Sequence, residues 1–370
     1  MKLALFFTRG VSLKTWEGLG SLEREVRVYR NLSNFFEEIY FVSYGGNEEL
    51  RFQSKLPSNI KILVNRFSLP TWLYSFLLPL LHRRALRTVE IYKTNQIDGA
   101  WSATIAKFLF RKKLFLRSGY ELLLFLEKEK GRTIKKWFVK KLEKRLFSYA
   151  DQIAVASEDD REFIHRTFHT PLHKIAYLPN YVDTEVFKPL PVPKRPRRLL
   201  FVGRLTEQKN LFNLVEALSN LDVELVMIGR GSFQKELERV AKEKNARVIF
   251  VESIPNERLP EEINQAAIFI LPSWYEGCPK TLLEAMACGV ACIGTNVVGI
   301  KSIIQHKVNG YLCETDPASM RKAVIEVMAD QTLRDTIGAA ARATIINGFS
   351  LPKIVEKEKS IYDALFRSNQ

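Results

Sequence analysis

Short apolar runs alternate with helix-length amphipathic stretches through both halves of this 370-residue chain. In the first half the runs lie near Leu3–Phe7, Ile39–Val42, Ile60–Val64, Gly99–Trp101, Lys113–Leu116 and Gln152–Ala156. In the second half they lie near Arg198–Val202, Glu224–Ile228, Val248–Val251, Ala267–Leu271 and Ala291–Gly294. Continuous apolar runs separated by helices are the pattern of parallel strands covered on both faces. The expected fold class is α/β, with two Rossmann-like doubly wound domains. Ligands bind outside the carboxyl ends of the strands in such sheets, so two of them facing one another enclose a cleft. The stretch Lys188-Pro-Leu-Pro-Val-Pro-Lys-Arg-Pro-Arg-Arg198 carries four prolines and reads as a stiff linker. The expected division is a first domain over 1–185, a second over 186–350, and a last helix over 351–370 that returns to the first domain.

Composition fits a folded globular chain, with 46% hydrophobic and 26% charged residues. The net charge of +15 is uneven. Residues 1–190 hold 32 Lys+Arg against 20 Asp+Glu, and residues 191–370 hold 24 against 21. The first half is therefore the half suited to an acidic partner, whether nucleic acid, anionic lipid or a phosphorylated substrate. The run after Met1 is too short for a signal peptide and reads as a first strand. No 18-residue apolar segment is present; Leu69–Leu81 comes nearest and is broken by Pro70 and Pro79. The four cysteines form no CxxC pair, which favours a reduced, cytoplasmic setting.

The frame Glu276-Gly-Cys-Pro-Lys-Thr-Leu-Leu-Glu284 follows an apolar run and opens a short helix that ends at Gly289. A helix start offers backbone N–H groups and the positive end of the dipole to an anion. Gly277, Cys278, Pro279, Lys280 and Thr281 would cradle a diphosphate there. Carboxylates at Glu276 and Glu284 would take hydroxyls on either side of it, which describes a nucleotide-sugar. Phe201-Val-Gly-Arg-Leu-Thr-Glu-Gln-Lys209 follows another strand. Gly203 permits close backbone approach, and Arg204 and Lys209 are spaced to reach one anion, Arg bidentately and Lys as a point charge. A turn with two surface cations is the plainer reading of that segment taken alone. Gly18 and Gly20, between the first strand and a helix, suit either a phosphate-adjacent loop or a plain turn. Gly229, after a later strand, suits either a loop lining the ligand cleft or a tight strand-to-helix turn.

With these residues in view, the chain resembles a GT-B-fold glycosyltransferase of the large retaining family 4. The Glu-x7-Glu setting matches from Pro272 to Gly289, and the Gly-Arg-Leu…Lys motif from Gly203 to Lys209. Ala150-Asp151…Ser157 and Pro179-Asn-Tyr-Val-Asp183…Phe187-Lys-Pro189 match two further family steps. The resemblance is dense from Ala150 to Gly310 and thin before that. It implies that Arg204 and Lys209 bind the donor diphosphate, that Glu276 contacts the donor sugar, and that Glu284 holds the ribose hydroxyls. It places the nucleobase against the backbone near Ile254, and Gly20 near the phosphates and acceptor. Two departures stand out. Where the family often has a His-Asp pair, this chain has Leu116-Arg117-Ser118-Gly119-Tyr120-Glu121, which makes Arg117, Tyr120 and Glu121 the candidates there, Arg117 and Tyr120 on the acceptor side. Where the family commonly has a Glu after a Gly-Gly turn, Val298-Gly299-Ile-Lys301 stands.

The resemblance implies transfer with retention from a UDP- or GDP-sugar to a glycan or lipid-linked acceptor, with no cofactor. No Asp-x-Asp motif offers a divalent metal a mount, so Arg204, Lys209 and helix N–H groups would stabilise the leaving diphosphate. Residues 127–145 hold nine cations against Glu127, Glu129 and Glu143, with Trp137, Phe138 and Leu142 among them. Such a helix is suited to an anionic membrane surface, with Trp72–Arg84 as a second contact, or is a solvated helix with its stripe on a sheet. The expected location is cytoplasmic, peripheral at the inner membrane face. No nucleic-acid motif accompanies the charge, so no nucleic-acid partner is expected. His165, His169 and His173 recur every four residues, but Pro171 interrupts their helix, and no metal site is expected.

Overall fold

The computed structural model describes residues 1–118 and 133–367, with side chains from residue 136 in the second stretch. The chain divides into two compact units, Met1–Leu178 with Val355–Gln370, and Pro179–Ile354.

The first unit is built on β1 (Lys2–Phe6), β2 (Glu38–Val42), β3 (Ile60–Leu63), β4 (Ile91–Thr94), β5 (Lys113–Ser118), β6 (Gln152–Val155) and β7 (Ile175–Tyr177). They form one sheet in the order β3-β2-β1-β4-β5-β6-β7. Every neighbour is parallel, with Leu3 opposite both Ile39 and Ile91. One face of the sheet buries Phe6, Tyr92 and Leu114 against Tyr74, Leu78 and Ala103 of helices Thr71–Leu81 and Ala100–Phe110. Further along, Leu116, Ile153 and Val155 pack with Val139, Leu146 and Phe147 of helix Thr133–Tyr149. Trp137, Phe138 and Leu142, the stripe singled out in the sequence, are exposed. The helix turns a different stripe inward.

The strand expected at Gly99–Trp101 is instead the start of helix Ala100–Phe110, and the strand itself lies at Ile91–Thr94. Lys93 hides it, because a lysine in the middle of a four-residue run breaks the apolar signal. The structure buries that lysine in an ion pair with Glu358, on the last helix Leu351–Arg367. Its Nζ also sits 4.8 Å from the centroid of the Tyr29 ring. Tyr362 of the same helix is fully buried, edge-on to Phe36 at 4.9 Å and to Phe115 at 5.6 Å.

The second unit holds β8 (Arg195–Val202), β9 (Glu224–Ile228), β10 (Arg247–Val251), β11 (Ala266–Leu271), β12 (Ala291–Thr295) and β13 (Tyr311–Cys313). These are parallel in the order β10-β9-β8-β11-β12-β13. All residues of β11 and β12 are buried, as a central strand covered on both faces requires. The expected linker is part of this unit. Asn264 accepts from Leu190 N at 2.9 Å and donates to Lys188 O at 2.9 Å, and Arg195 already lies in β8. The break falls at 178/179 rather than 185/186. Asn180 donates to Cys278 O at 2.7 Å and Val182 bridges Ser350, so both are anchored within the second unit.

Candidate active site

In the second sheet the strand order reverses between β8 and β11. The connections that follow these two strands leave in opposite directions, and a crevice opens between them at the carboxyl edge. The loop after β8 carries Gly203, Arg204 and Lys209, and the loop after β11 carries Glu276 through Lys280. The two strongest sequence motifs thus meet at the one place in this sheet where topology makes a binding site.

Backbone contacts fix the loops. Gly203 N bonds to Ile228 O at 3.0 Å, Leu205 N to Arg230 O at 2.9 Å, and Gly229 N to Val251 O at 2.8 Å. Gly229 has φ +150, and a Cβ there would lie 1.9 Å from Gly203 O. A Cβ on Gly231 would lie 2.0 Å from Leu205 O. Neither neighbour is a side chain that can swing aside. Between the two motif loops, Trp274 N donates to Gln208 O and Gln208 Nε2 to Tyr275 O, both at 2.9 Å.

These bonds bring Lys209 Nζ onto Glu276 Oε1 in an ion pair whose side chains are 12% and 8% exposed. Ser273 Oγ donates to the same carboxylate oxygen at 2.6 Å, and Thr295 Oγ1 holds Ser273 O at 2.6 Å. Glu276 N bonds to Val298 O at 3.3 Å. Gly299, at φ +85, lets that segment lie against the motif loop: a Cβ would sit 2.3 Å from both Glu276 O and Gly277 O. Helix Lys280–Ala287 then opens at Pro279 without a side-chain cap. Its first N–H groups have no carbonyl one turn back, and Leu283 N is the group that bonds to Pro279 O, at 3.2 Å. Thr281 is half-buried at this end, and Cys278 is buried beside it. Glu284 is buried further along the helix. Burial first, and the Glu284 carboxylate second, push the Cys288 thiol up to about 12.

Arg204 is exposed on the Lys209 loop and makes no ion pair among the described residues. Ile254 follows β10, half-buried. Gly18, Gly20 and Arg117 belong to the first unit. Gly18 ends helix Leu13–Gly18 rather than lying in a loop, because Ser12 caps that helix early. Gly20, at φ +64, leads into helix Leu22–Ser33, and among the described residues no atom lies within 4 Å of a Cβ built on it or on Gly18. Arg117 is half-buried in β5, its N–H on Thr94 Oγ1 at 3.1 Å. Tyr120 lies outside the described residues, as do Gly119 and Glu121. All four cysteines are buried, and none is joined in a disulfide. Among the described residues no group of three His, Cys, Asp or Glu side chains is placed to hold a metal ion.

Sequence reasoning missed several supports. Ser273, Gln208 and Asn180 anchor the motif loops, and Gly231 and Gly299 admit their close approach. Glu49 was also missed. It is fully buried in the first unit and accepts Leu13 N at 2.9 Å and Lys14 N at 2.8 Å. A protein carboxylate therefore occupies the amino end of helix Leu13–Gly18. Nothing local to Glu49 in sequence announces that role.

Comparison with known proteins matches residues 182–344 to the family described as glycosyl transferases group 1. The match lies wholly within the second unit and covers somewhat under half of the chain. The N-acetyl-alpha-D-glucosaminyl L-malate synthase of Bacillus anthracis is 28% identical over 207 residues, 52% of this chain and 54% of the relative. The UDP-Gal:alpha-D-GlcNAc-diphosphoundecaprenol alpha-1,3-galactosyltransferase of Escherichia coli is 29% identical over 224 residues, 55% of this chain and 58% of the relative. The matches thus span somewhat over half the length of these curated relatives. Among solved structures, sucrose-phosphate synthase from Thermosynechococcus elongatus superposes with TM-score 0.81 at 18% identity over 100% of both chains. Anabaena HepE in complex with UDP gives TM-score 0.79 at 16% identity, over 98% of this chain and 100% of HepE. At such identities the likeness speaks to fold, and the fold is GT-B, with parallel sheets of seven and six strands.

Proposed function

We propose that this protein is a glycosyltransferase that moves a sugar from a UDP- or GDP-sugar, with retention of anomeric configuration and without a metal ion, to a glycan or lipid-linked acceptor. The reaction would take place at the cytoplasmic face of an anionic membrane. The observation that carries the reading is the Lys209–Glu276 pair at the switch point of the second sheet, beside an uncapped helix start. The relatives' names support the donor and acceptor classes, one naming a UDP-sugar and a diphospholipid-linked acceptor.

The chemistry follows from where charge develops. Cleavage of the anomeric bond leaves negative charge on the departing diphosphate and positive charge on the sugar ring. Lys209, Arg204 and the N–H groups at Lys280 and Thr281 stabilise the first, in a partly water-excluded crevice. To meet a phosphate oxygen, Lys209 Nζ shares or leaves Glu276. That carboxylate stays in place through Ser273 and is then available to a donor-sugar hydroxyl. Glu284, buried in the helix, faces the ribose in this scheme. The acceptor hydroxyl attacks on the face the diphosphate leaves, passing its proton to a donor phosphate oxygen.

The test is nucleotide release from UDP-, GDP- and ADP-sugars, with and without membrane extract, followed by the anomeric coupling constant of the product. Release from one donor, raised by extract and lost in Glu276→Ala, is the expected result. Absence of both release and donor binding across the panel would overturn the proposal, and an inverted product would overturn its retention.

A further inference from the structure

Three helices of the first unit, Thr71–Leu81, Ala100–Phe110 and Thr133–Tyr149, lie in one layer. Phe76 meets Trp101 at 4.2 Å between centroids, and Phe108 meets Tyr149 at 5.0 Å. Their inner faces bury Tyr74, Leu78, Ala103, Ala106, Val139 and Leu146. A surface helix ordinarily turns polar residues outward. Helix Thr71–Leu81 instead exposes Trp72 at 62%, Phe76 at 52% and Leu80 at 53%, a ridge of every fourth residue. Phe108, Trp137 and Phe138 extend exposed aromatic surface onto the neighbouring helices, each about 60% exposed. Single exposed apolar residues are common, but a ridge with aromatic extensions on adjoining helices marks an interaction surface.

Leu80 also lines a cavity of about 620 Å³, formed by residues 63–67 and 80–85. Phe67 and Leu81 supply more apolar wall, and Arg66, Arg83 and Arg84 supply three guanidinium groups. None of these arginines makes an ion pair among the described residues. The sequence around them offers no neutralising partner, since no Asp or Glu occurs between Glu49 and Glu90, against seven Lys and Arg. His82, on the same wall, is engaged through Nε2 with Tyr74 Oη at 2.8 Å. Unpaired guanidinium groups around an open space suit a phosphate. A hydrocarbon wall running from that space onto an aromatic ridge suits the chain attached to it.

We infer that this face of the first unit docks on an anionic bilayer, with the phosphate of an anionic glycerophospholipid in the Arg66–Arg83–Arg84 cavity and Trp72, Phe76 and Leu80 in the acyl boundary. The inference rests on the membrane part of the function proposed above and gives it a surface and a headgroup seat. Charge complementarity names the occupant. Each cation near an anionic surface contributes about a five-fold gain in partition, and buried aromatic area adds a part that salt does not screen.

The experiment is co-sedimentation of the full chain with vesicles of 70% phosphatidylcholine and 30% phosphatidylglycerol, and with pure phosphatidylcholine. Wild type is compared with Arg83→Glu/Arg84→Glu, with Trp72→Ser/Phe76→Ser, and with Lys235→Glu/Lys242→Glu. The last pair carries the same charge change on exposed sites of the second unit. The expected result is binding to the phosphatidylglycerol vesicles that falls about 25-fold or more in the arginine variant and far less in the lysine variant. The aromatic variant should lose the portion of binding that survives high salt. Equal losses in the arginine and lysine variants would overturn the seat while leaving membrane association standing. Failure of wild type to bind either vesicle would overturn docking altogether, and displacement from vesicles by single-stranded RNA at equal phosphate would reassign the surface to nucleic acid. Donor hydrolysis by wild type without vesicles reports separately on the transferase reading.

Discussion

The candidate-site glycines of the two units are held to different standards. In the second unit a Cβ on Gly229, Gly231 or Gly299 would fall between 1.9 and 2.3 Å from a backbone oxygen of a motif loop. In the first unit a Cβ on Gly18 or Gly20 would meet nothing within 4 Å among the described residues. Backbone against backbone leaves no adjustable atom, so the motif loops have one arrangement and the sequence is confined with them. Among the described residues nothing confines Gly18 and Gly20 in that way, so the scaffold itself does not fix the residue type there.

The comparison can be broken at several points. The largest effect is expected within the first unit, away from those glycines. Glu358→Ala strands Lys93 in a site that already disfavours its charge: burial lowers the Lys93 pKa. Losing one partner of a buried pair costs about 3–5 kcal/mol, read as a fall in the denaturation midpoint. Changing both residues to methionine should recover most of that loss. Gly231→Ala should cost about 3 kcal/mol in stability of the second unit, because overpacking here moves backbone. Lys209→Ala should raise the transfer barrier by about 2.7–4 kcal/mol, a fall in kcat of roughly 10²–10³-fold, with the fold retained by circular dichroism.

His82 provides a pH test. Burial, and then Arg66 beside it, hold its imidazole down to about 4 from the ordinary 6.5. Between those values the unfolded chain carries the extra proton. Stability from keeping His82 neutral is therefore complete above pH 6.5 and is lost as pH falls toward 4, with a slope of up to ~1.4 kcal/mol per pH unit. His82→Gln should flatten that part of the thermal-unfolding profile. The smallest effect is Gly18→Ala, at the end of a helix and in open space, which should change stability by less than ~1 kcal/mol, in the stabilising direction. A large loss there would mean that the first unit's loop is as confined as the second unit's.

The two motif loops were legible because their charged residues come directly after long apolar strands. Glu276, Glu284, Gly203 and Lys209 each follow a long apolar strand that periodicity alone locates. What failed to show was whatever depends on partners far along the chain. β4 was misplaced because its charge is satisfied 265 residues away. β7 and β13 are three-residue edge strands, too short for a periodic signal. The prolines of 189–196 read as a linker because the Asn264 side chain that binds this stretch to the second unit is a tertiary contact. On helix Thr133–Tyr149, composition showed aromatics among cations, and only packing shows that Val139, Leu146 and Phe147 turn inward.

The buried Lys93–Glu358 pair also bears on biosynthesis. As the chain is made, β4 leaves the ribosome with a lysine at its centre and no carboxylate to meet it. The second unit is one continuous segment and can fold as soon as it is complete. The first unit, though its strands are made earlier, closes last, when Glu358 and Tyr362 arrive. A ribosome-bound chain stopped after Ile354, on a linker long enough to clear the ribosome, should therefore show a protease-resistant second unit behind a first unit that is still being cut.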